Sequence, residues 1–266
     1  MSRGDLSVSE FPNGVRFWLR EDTCDHNTAY STSFEDEYGL FDLDVKGWLV
    51  FDVGAYIGSV GVTLAKRGAR VVCVEPVPAN AEMVRRNAQL NGVEVTVVEA
   101  AAGWPGTKII RWGFEPEPGW NDLVASVPYL GYTHDDQIKE SISHHQFIGN
   151  SNNMAPMDQT YVETEVSCVG LDDMIERFDT PDAIKIDCEG GEWPWLASEN
   201  AWTVPLWVGE WHPWGDEDPE GSGSFRGRAR HGRYGREMIL DRLGKTHVVS
   251  FTGPEGGPGG FRATLR

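Results

Sequence analysis

Residues 51–61 read Phe51-Asp52-Val53-Gly54-Ala55-Tyr56-Ile57-Gly58-Ser59-Val60-Gly61. An apolar run ends in an acid, turns through Gly54 and Gly58, and continues in a pattern suited to a helix. A strand that turns through glycines into a helix is a ligand-binding bend. Glycine permits positive φ and removes the Cβ that keeps a ligand off the backbone, while the helix N-terminus offers free amides. The dinucleotide fingerprint needs two glycines one residue apart. Gly54 and Gly58 are separated by three, a spacing that disfavours a nicotinamide dinucleotide.

Working outward, Trp48 to Val53 reads as a buried strand and Gly58 to Arg67 as a helix. Val71 to Glu75 is a second strand, Pro78 to Asn91 a second helix, and Val95 to Glu99 a third strand. This alternation is the mark of parallel βαβ units. Pro78 suits a first helical turn and Gly92 a C-terminal cap. Glu75 ends the second strand, where a carboxylate in the crevice accepts hydrogen bonds from ribose hydroxyls. The third strand runs into Ala100, Ala101 and Ala102, whose small side chains leave room for a flat ring.

The regular pattern breaks between Gly113 and Gln159, an insertion flanked by candidate strands at 107–112 and 162–169. Order resumes with a helix at 171–178, a buried strand Ala183 to Cys188, a helix from about Gly191 to Ser198 and a strand Leu206 to Trp211. A last helix at 235–243 and an antiparallel pair, 246–251 with 261–265, close the chain. The expected fold is α/β, a doubly wound, mostly parallel seven-stranded sheet. Residues 1–46 form an N-terminal extension with a strand at Val15 to Leu19. Residues 47–266 form the main domain, with the insertion at about 113–160.

The formal charge of −18 opposes binding to a phosphate backbone, which draws its affinity from lysine and arginine. Nucleic acid is disfavoured, though the arginine-rich stretch 225–236 is a local exception suited to phosphate or planar anions. No signal-peptide core opens the chain. The longest apolar stretch, Trp48 to Ala65, is interrupted by Asp52, so no export and no membrane span are expected. Cys24, Cys73, Cys168 and Cys188 form no CxxC pair and read as reduced, mostly buried thiols of a cytoplasmic protein.

In an open α/β sheet the crevice opens at the carboxyl ends of the strands. There the fourth strand delivers Asp187 and Glu189, and the fifth Glu210 and His212. Imidazole titrates near neutrality, so His212 is the first candidate for a general base, oriented by Glu210 or Glu189. Asp187 leaves an apolar strand and needs a ligand or a partner, and Lys185, one alternation back, is a candidate partner. Asp187, Glu189, Glu192, Glu210 and His212 are also oxygen-rich enough for a divalent cation, but no spacing among them fixes a coordination geometry, and no metal ligand is assigned.

Three blocks give the chain a family likeness: FDVGAYIGSVGVTLA at 51–65, VEPVPANAEMVRRNAQLNG at 74–92 and LDDMIERFDTPDAIKIDCEGGEWPWL at 171–196. A weaker echo lies in LREDTCDHNTAY and at Glu37-Tyr38. With these residues the chain resembles the FkbM family of class I methyltransferases over roughly residues 11 to 211. The resemblance implies S-adenosylmethionine as methyl donor and a hydroxyl acceptor on a small molecule or glycan, such as a sugar or a polyketide-type product. It implies cofactor contacts from Asp52, Gly54, Ala55, Tyr56, Gly58, Glu75, Pro76, Ala101 and Asp187, with Asp52 holding the loop and the methionine portion. Where the family carries asparagine, this chain carries Tyr56. Two other readings stay open: a ribose 2′-O-methyltransferase on RNA, and a cofactor-binding module without catalysis. Oligomeric state is not legible.

Overall fold

The computed structural model describes residues 6–21, 23–112, 162–188, 191–212, 235–253 and 259–266. The insertion at 113–160, Glu189 and nearly all of the arginine-rich stretch lie outside the described residues.

Strands β1 (Leu6–Glu10) and β2 (Arg16–Arg20) pair as a hairpin, followed by helix α1 (Asp25–Ser33). The main unit then alternates β3 (Leu49–Val53), α2 (Ser59–Lys66), β4 (Arg70–Val74), α3 (Pro78–Asn91) and β5 (Val95–Val98). Three strands, β6 (Ala100–Ala102), β7 (Gly106–Trp112) and β8 (Val162–Val169), make a small separate sheet in the order β6-β8-β7. After them come α4 (Leu171–Phe178), β9 (Ala183–Ile186), α5 (Glu192–Leu196), β10 (Leu206–Trp211), α6 (Arg236–Leu243), β11 (His247–Phe251) and β12 (Gly259–Leu265).

The seven-stranded sheet has the order β11-β12-β10-β9-β3-β4-β5. Strands β3, β4, β5, β9 and β10 pair in parallel, and β12 runs antiparallel to both β10 and β11. The chain order therefore reverses between β3 and β9, the switch point at which such sheets open a crevice. All five residues of β3 are buried, as expected of a strand covered on both faces. Its alternation divides the core. Phe51 and Val53 face a cluster with Met174, Trp195, Trp207 and Ile239, contributed by α4, α5, β10 and α6. Val50 faces the opposite cluster with Val60, Leu64 and Val84 from α2 and α3. The sheet is thus doubly wound, the architecture of the class I methyltransferase type.

The extension has its own apolar contact with this unit, through Phe17, Leu19 and Ala29 against Ile57, Val62 and Met83. Asn87 fastens it further, accepting from the Trp18 amide and donating to the Ile57 carbonyl. No helix among the described residues is long and apolar enough to cross a membrane. Cys24, Cys73 and Cys168 are buried, Cys188 is half-buried, and all four are free thiols.

Candidate functional site

The bend after β3 is built by the sheet around it. Gly54 and Ala55 both donate their amides to the Val74 carbonyl, which folds the bend over β4. Gly54 has φ +72°, and a Cβ there would lie 1.8 Å from the Asp187 carbonyl oxygen. The missing side chain at Gly54 therefore serves the crossing of two chain segments. Gly58 caps α2 in the left-handed region, and a Cβ there would touch Val84 of α3 at 3.0 Å.

Asp52 points beneath the bend. Its Oδ2 accepts from the Gly61 amide at 2.9 Å, and its Oδ1 faces Lys185 Nζ at 3.4 Å. Lys185 Nζ donates to the Gly54 carbonyl at 2.8 Å and lies over the Tyr38 ring. The partner of Lys185 is thus Asp52, one strand over, and not Asp187 as the alternation along β9 suggested. Burial opposes the Lys185 charge, but Asp52 and Asp187 outweigh it and hold the ammonium above its usual pKa. Burial also raises Asp52, against the pull of Lys185 and the Gly61 amide. Asp52 thus holds the loop, and one of the amides at the α2 N-terminus is already taken by it.

Glu75, just past β4, is 4% exposed. Its Oε2 accepts from the Tyr56 amide at 2.9 Å, and its Oε1 from the Val77 amide at 2.9 Å and Asn80 Nδ2 at 3.4 Å. Burial pushes its pKa up to about 7, against the lowering effect of those two amides. Pro76 is buried beside it. A carboxylate offers about four acceptor positions, so Glu75 keeps capacity for a further donor at the strand end, which fits a ribose hydroxyl. Ala101 is placed in a small apolar cluster with Val77, Val166 and Cys168.

At the ends of β9 and β10 the structure brings together Asp187, Glu210 and His212, each with one ligand atom within 4.8 Å of the others. Tyr38 donates its hydroxyl to Asp187 Oδ2 at 2.8 Å. Burial and then the Asp187 charge raise the Tyr38 pKa well above the phenol range, so the proton stays on the hydroxyl. His212 is 7% exposed, and its Nδ1 lies 2.9 Å from Glu192 Oε1. A carboxylate stands at each ring nitrogen, Glu192 at Nδ1 and Glu210 Oε2 at 3.8 Å from Nε2, so the imidazole is held between two acceptors. The orienting group is therefore Glu192, at the start of α5. Glu210 stands on the opposite side of the ring, and Glu189 is outside the described residues. Glu192 is itself fully buried and fixed by the Cys188 amide at 3.0 Å, while Trp193 Nε1 donates to the His212 carbonyl. The three grouped donors can hold a divalent cation or bracket a hydroxyl group.

Sequence reasoning missed Tyr38 as a partner of Asp187 and Glu192 as the partner of His212. A tyrosine within an acidic stretch and an acid opening an apolar helix were the available signals.

A doubly wound sheet, a glycine bend at its switch point and a strand-end carboxylate beside it define a class I methyltransferase. Residues 52–223 match the FkbM methyltransferase domain, and the chain belongs to that family, which uses S-adenosylmethionine. Over 108 residues it is 34% identical to the ubiquinone biosynthesis O-methyltransferase of Methylocella silvestris, a match covering 39% of this chain and 41% of that protein. Among solved structures, a SAM-dependent methyltransferase from Agrobacterium tumefaciens is 12% identical at a TM-score of 0.47, covering 100% of this chain and 72% of that one. The Pyrococcus abyssi tRNA (uracil-54, C5)-methyltransferase is 12% identical at a TM-score of 0.43, covering 98% of this chain and 44% of that one. The chain thus spans less than half the length of the Methylocella and Pyrococcus proteins.

Proposed function

We propose that this protein is an S-adenosylmethionine-dependent O-methyltransferase acting on a hydroxyl group of a small molecule or sugar. The observation that carries the reading is the grouping of Asp187, Glu210 and His212 at the crevice, with Glu192 holding Nδ1 of His212 so that Nε2 is turned toward Glu210.

S-adenosylmethionine supplies a methyl group bonded to a positively charged sulfur. Glu75 accepts from the ribose hydroxyls with the acceptor capacity it retains. Asp187 carries negative charge to the crevice near the sulfonium and amino groups, and Tyr38 fixes one of its oxygens. The acceptor hydroxyl is a poor nucleophile until its proton is removed, and His212 Nε2 takes that proton as methyl transfer proceeds. Glu192 then stabilises the imidazolium, and Glu210 helps hold the acceptor. An alcohol or sugar hydroxyl matches this chemistry, because a carbon or amine acceptor makes a different demand on the base.

The charge of −18 favours a neutral or cationic acceptor over RNA. The four free thiols suit a reducing compartment, the cytoplasm. The test is to incubate the chain with S-adenosylmethionine and a panel of sugars, polyols, phenols and macrolide-type alcohols, and to follow methyl gain by mass spectrometry. Methylated product, lost on His212→Asn, is expected. Transfer only to amines or carbon acids overturns the reading, as does salt-sensitive transfer only to RNA. Tight cofactor binding without turnover across the panel assigns the chain to non-catalytic binding.

A further inference from the structure

Tyr56 stands at the centre of the bend with φ +52°, a left-handed conformation that is costly for a bulky side chain. Its side chain packs against the N-terminal segment. The hydroxyl donates to Asp25 Oδ1, and the Arg20 guanidinium lies 5.4 Å from the ring centroid. Arg20 and Asp25 form a buried pair through two guanidinium hydrogen bonds of 2.8 Å. Asp25 also accepts from the Arg20 amide.

These contacts close a ring. Arg20 Nη1 donates to Asn80 Oδ1 at 2.9 Å, Asn80 Nδ2 reaches Glu75 Oε1, and Glu75 Oε2 accepts from the Tyr56 amide. Arg20, Asp25, Glu75 and Asn80 are all buried, and the ring joins β2 and α1 to the bend and to α3. Arg20 and Asp25 precede residue 52, where the family match begins.

We propose that Tyr56, anchored by the Arg20–Asp25 pair, is a positioning residue for the cofactor. It holds the bend so that its amide meets Glu75, which makes the N-terminal segment part of cofactor recognition. The inference rests on the methyltransferase reading above, in which Glu75 receives the ribose. Without the phenol hydrogen bond, only the ring's packing and its contact with Arg20 remain to offset the cost of positive φ at residue 56. The residue relaxes, its amide swings from Oε2, and the carboxylate loses both a donor and its orientation. Besides the Tyr56 amide, Glu75 is faced by the Val77 amide on its own chain, Asn80 from α3, the Cys73 thiol of β4 and Lys185 from β9. None of these replaces the missing bond.

The experiment is calorimetric titration of the full chain with S-adenosylhomocysteine between pH 6 and 8.5, for wild type, Tyr56→Phe and Tyr56→Gly. Tyr56→Phe removes only the hydroxyl. Tyr56→Gly removes the steric cost of the backbone conformation along with the anchor, so it supplies a readout if the phenylalanine variant folds poorly. Wild-type affinity should rise with pH as Glu75 ionises. Tyr56→Phe should bind about tenfold more weakly, the worth of one hydrogen bond, and its affinity should rise at a higher pH than wild type's. Tyr56→Gly, with no steric cost at positive φ, should show a smaller loss and a smaller displacement than Tyr56→Phe. Wild-type affinity and an unmoved pH profile in Tyr56→Phe, folded by circular dichroism, overturn the positioning role, as does a Tyr56→Gly displacement equal to or larger than that of Tyr56→Phe. No binding by wild type removes the methyltransferase reading itself, and this inference with it.

Discussion

Glu75→Gln separates the cost of a buried charge from its use in binding. Burial moves this carboxyl from 4.5 to about 7, which corresponds to about 3 kcal/mol at ~1.4 kcal/mol per tenfold. A carboxyl raised by folding stabilises the native state fully below its unfolded pKa. That contribution is lost as pH rises through 7. The ligand-free wild type should therefore lose up to about 3 kcal/mol of unfolding free energy from this group between pH 5 and 8. Glutamine carries no charge and removes that slope. It also sets an NH2 group against one of the two backbone amides that now meet carboxylate oxygens, a loss of about 1–3 kcal/mol at every pH. The variant should thus be less stable than wild type at pH 5 and nearly equal to it at pH 8. Urea denaturation of both proteins at pH 5, 6, 7 and 8 without cofactor measures the difference. Parallel curves across the range would refute the buried, raised carboxyl. At pH 8 the same variant should bind S-adenosylhomocysteine about ten- to a hundredfold more weakly, since a charge-assisted hydrogen bond to ribose is lost.

His212→Asn should lower turnover by about 10²–10⁴ while leaving S-adenosylhomocysteine affinity within a few-fold, which a kcat and calorimetry pair resolves; turnover retained at neutral pH removes the base. Turnover should survive exhaustive chelation if His212 serves as the base; a chelator-sensitive rate restored by Mn2+ makes His212, Asp187 and Glu210 ligands instead. Lys185→Met strands the buried Asp52 and should cost about 3–5 kcal/mol in thermal or urea unfolding; adding Asp52→Asn should recover a large part of that loss, and additive effects of the two would show that the pair is not coupled. Gly54→Ala places a methyl 1.8 Å from the Asp187 carbonyl oxygen at positive φ and should yield little soluble, folded protein; a wild-type melt would show that the β3 bend and the β9 exit are not so close.

The sheet was readable because its strands carry their own signal. Leu49–Val53 and Ala183–Ile186 are buried on both faces and appear as apolar runs, each carrying a single charge, Asp52 or Lys185, and Pro78 and Gly92 mark the ends of α3. Glu75 was readable because it closes such a run. What escaped depends on contacts between distant segments. Tyr38 reaches Asp187 across 149 residues of sequence and Tyr56 reaches Asp25 across 31, and neither local periodicity nor spacing encodes those meetings. Lys185 shows the same limit. Alternation placed it on one face with Asp187, but the parallel register of β9 with β3 sets it opposite Asp52 and decides the pairing.

These placements divide the signature residues into two kinds. Gly54, Gly58, Asp52 and Lys185 spend their geometry on one another: a chain crossing, a helix cap, an amide and an ion pair beneath the bend. Their loss should be felt first as unfolding, and any loss of binding should track the melt. Asp187 and Glu210 are only partly buried at the strand ends, so their substitution should change affinity or rate in a protein that still melts normally. Glu75 belongs to both kinds, since the amides that tie it into the bend also set the oxygen it offers to a ligand. A position where stability and cofactor affinity respond to pH in opposite directions is what such a double role requires, and of the residues in this site the raised carboxyl at 75 is the one placed to show it.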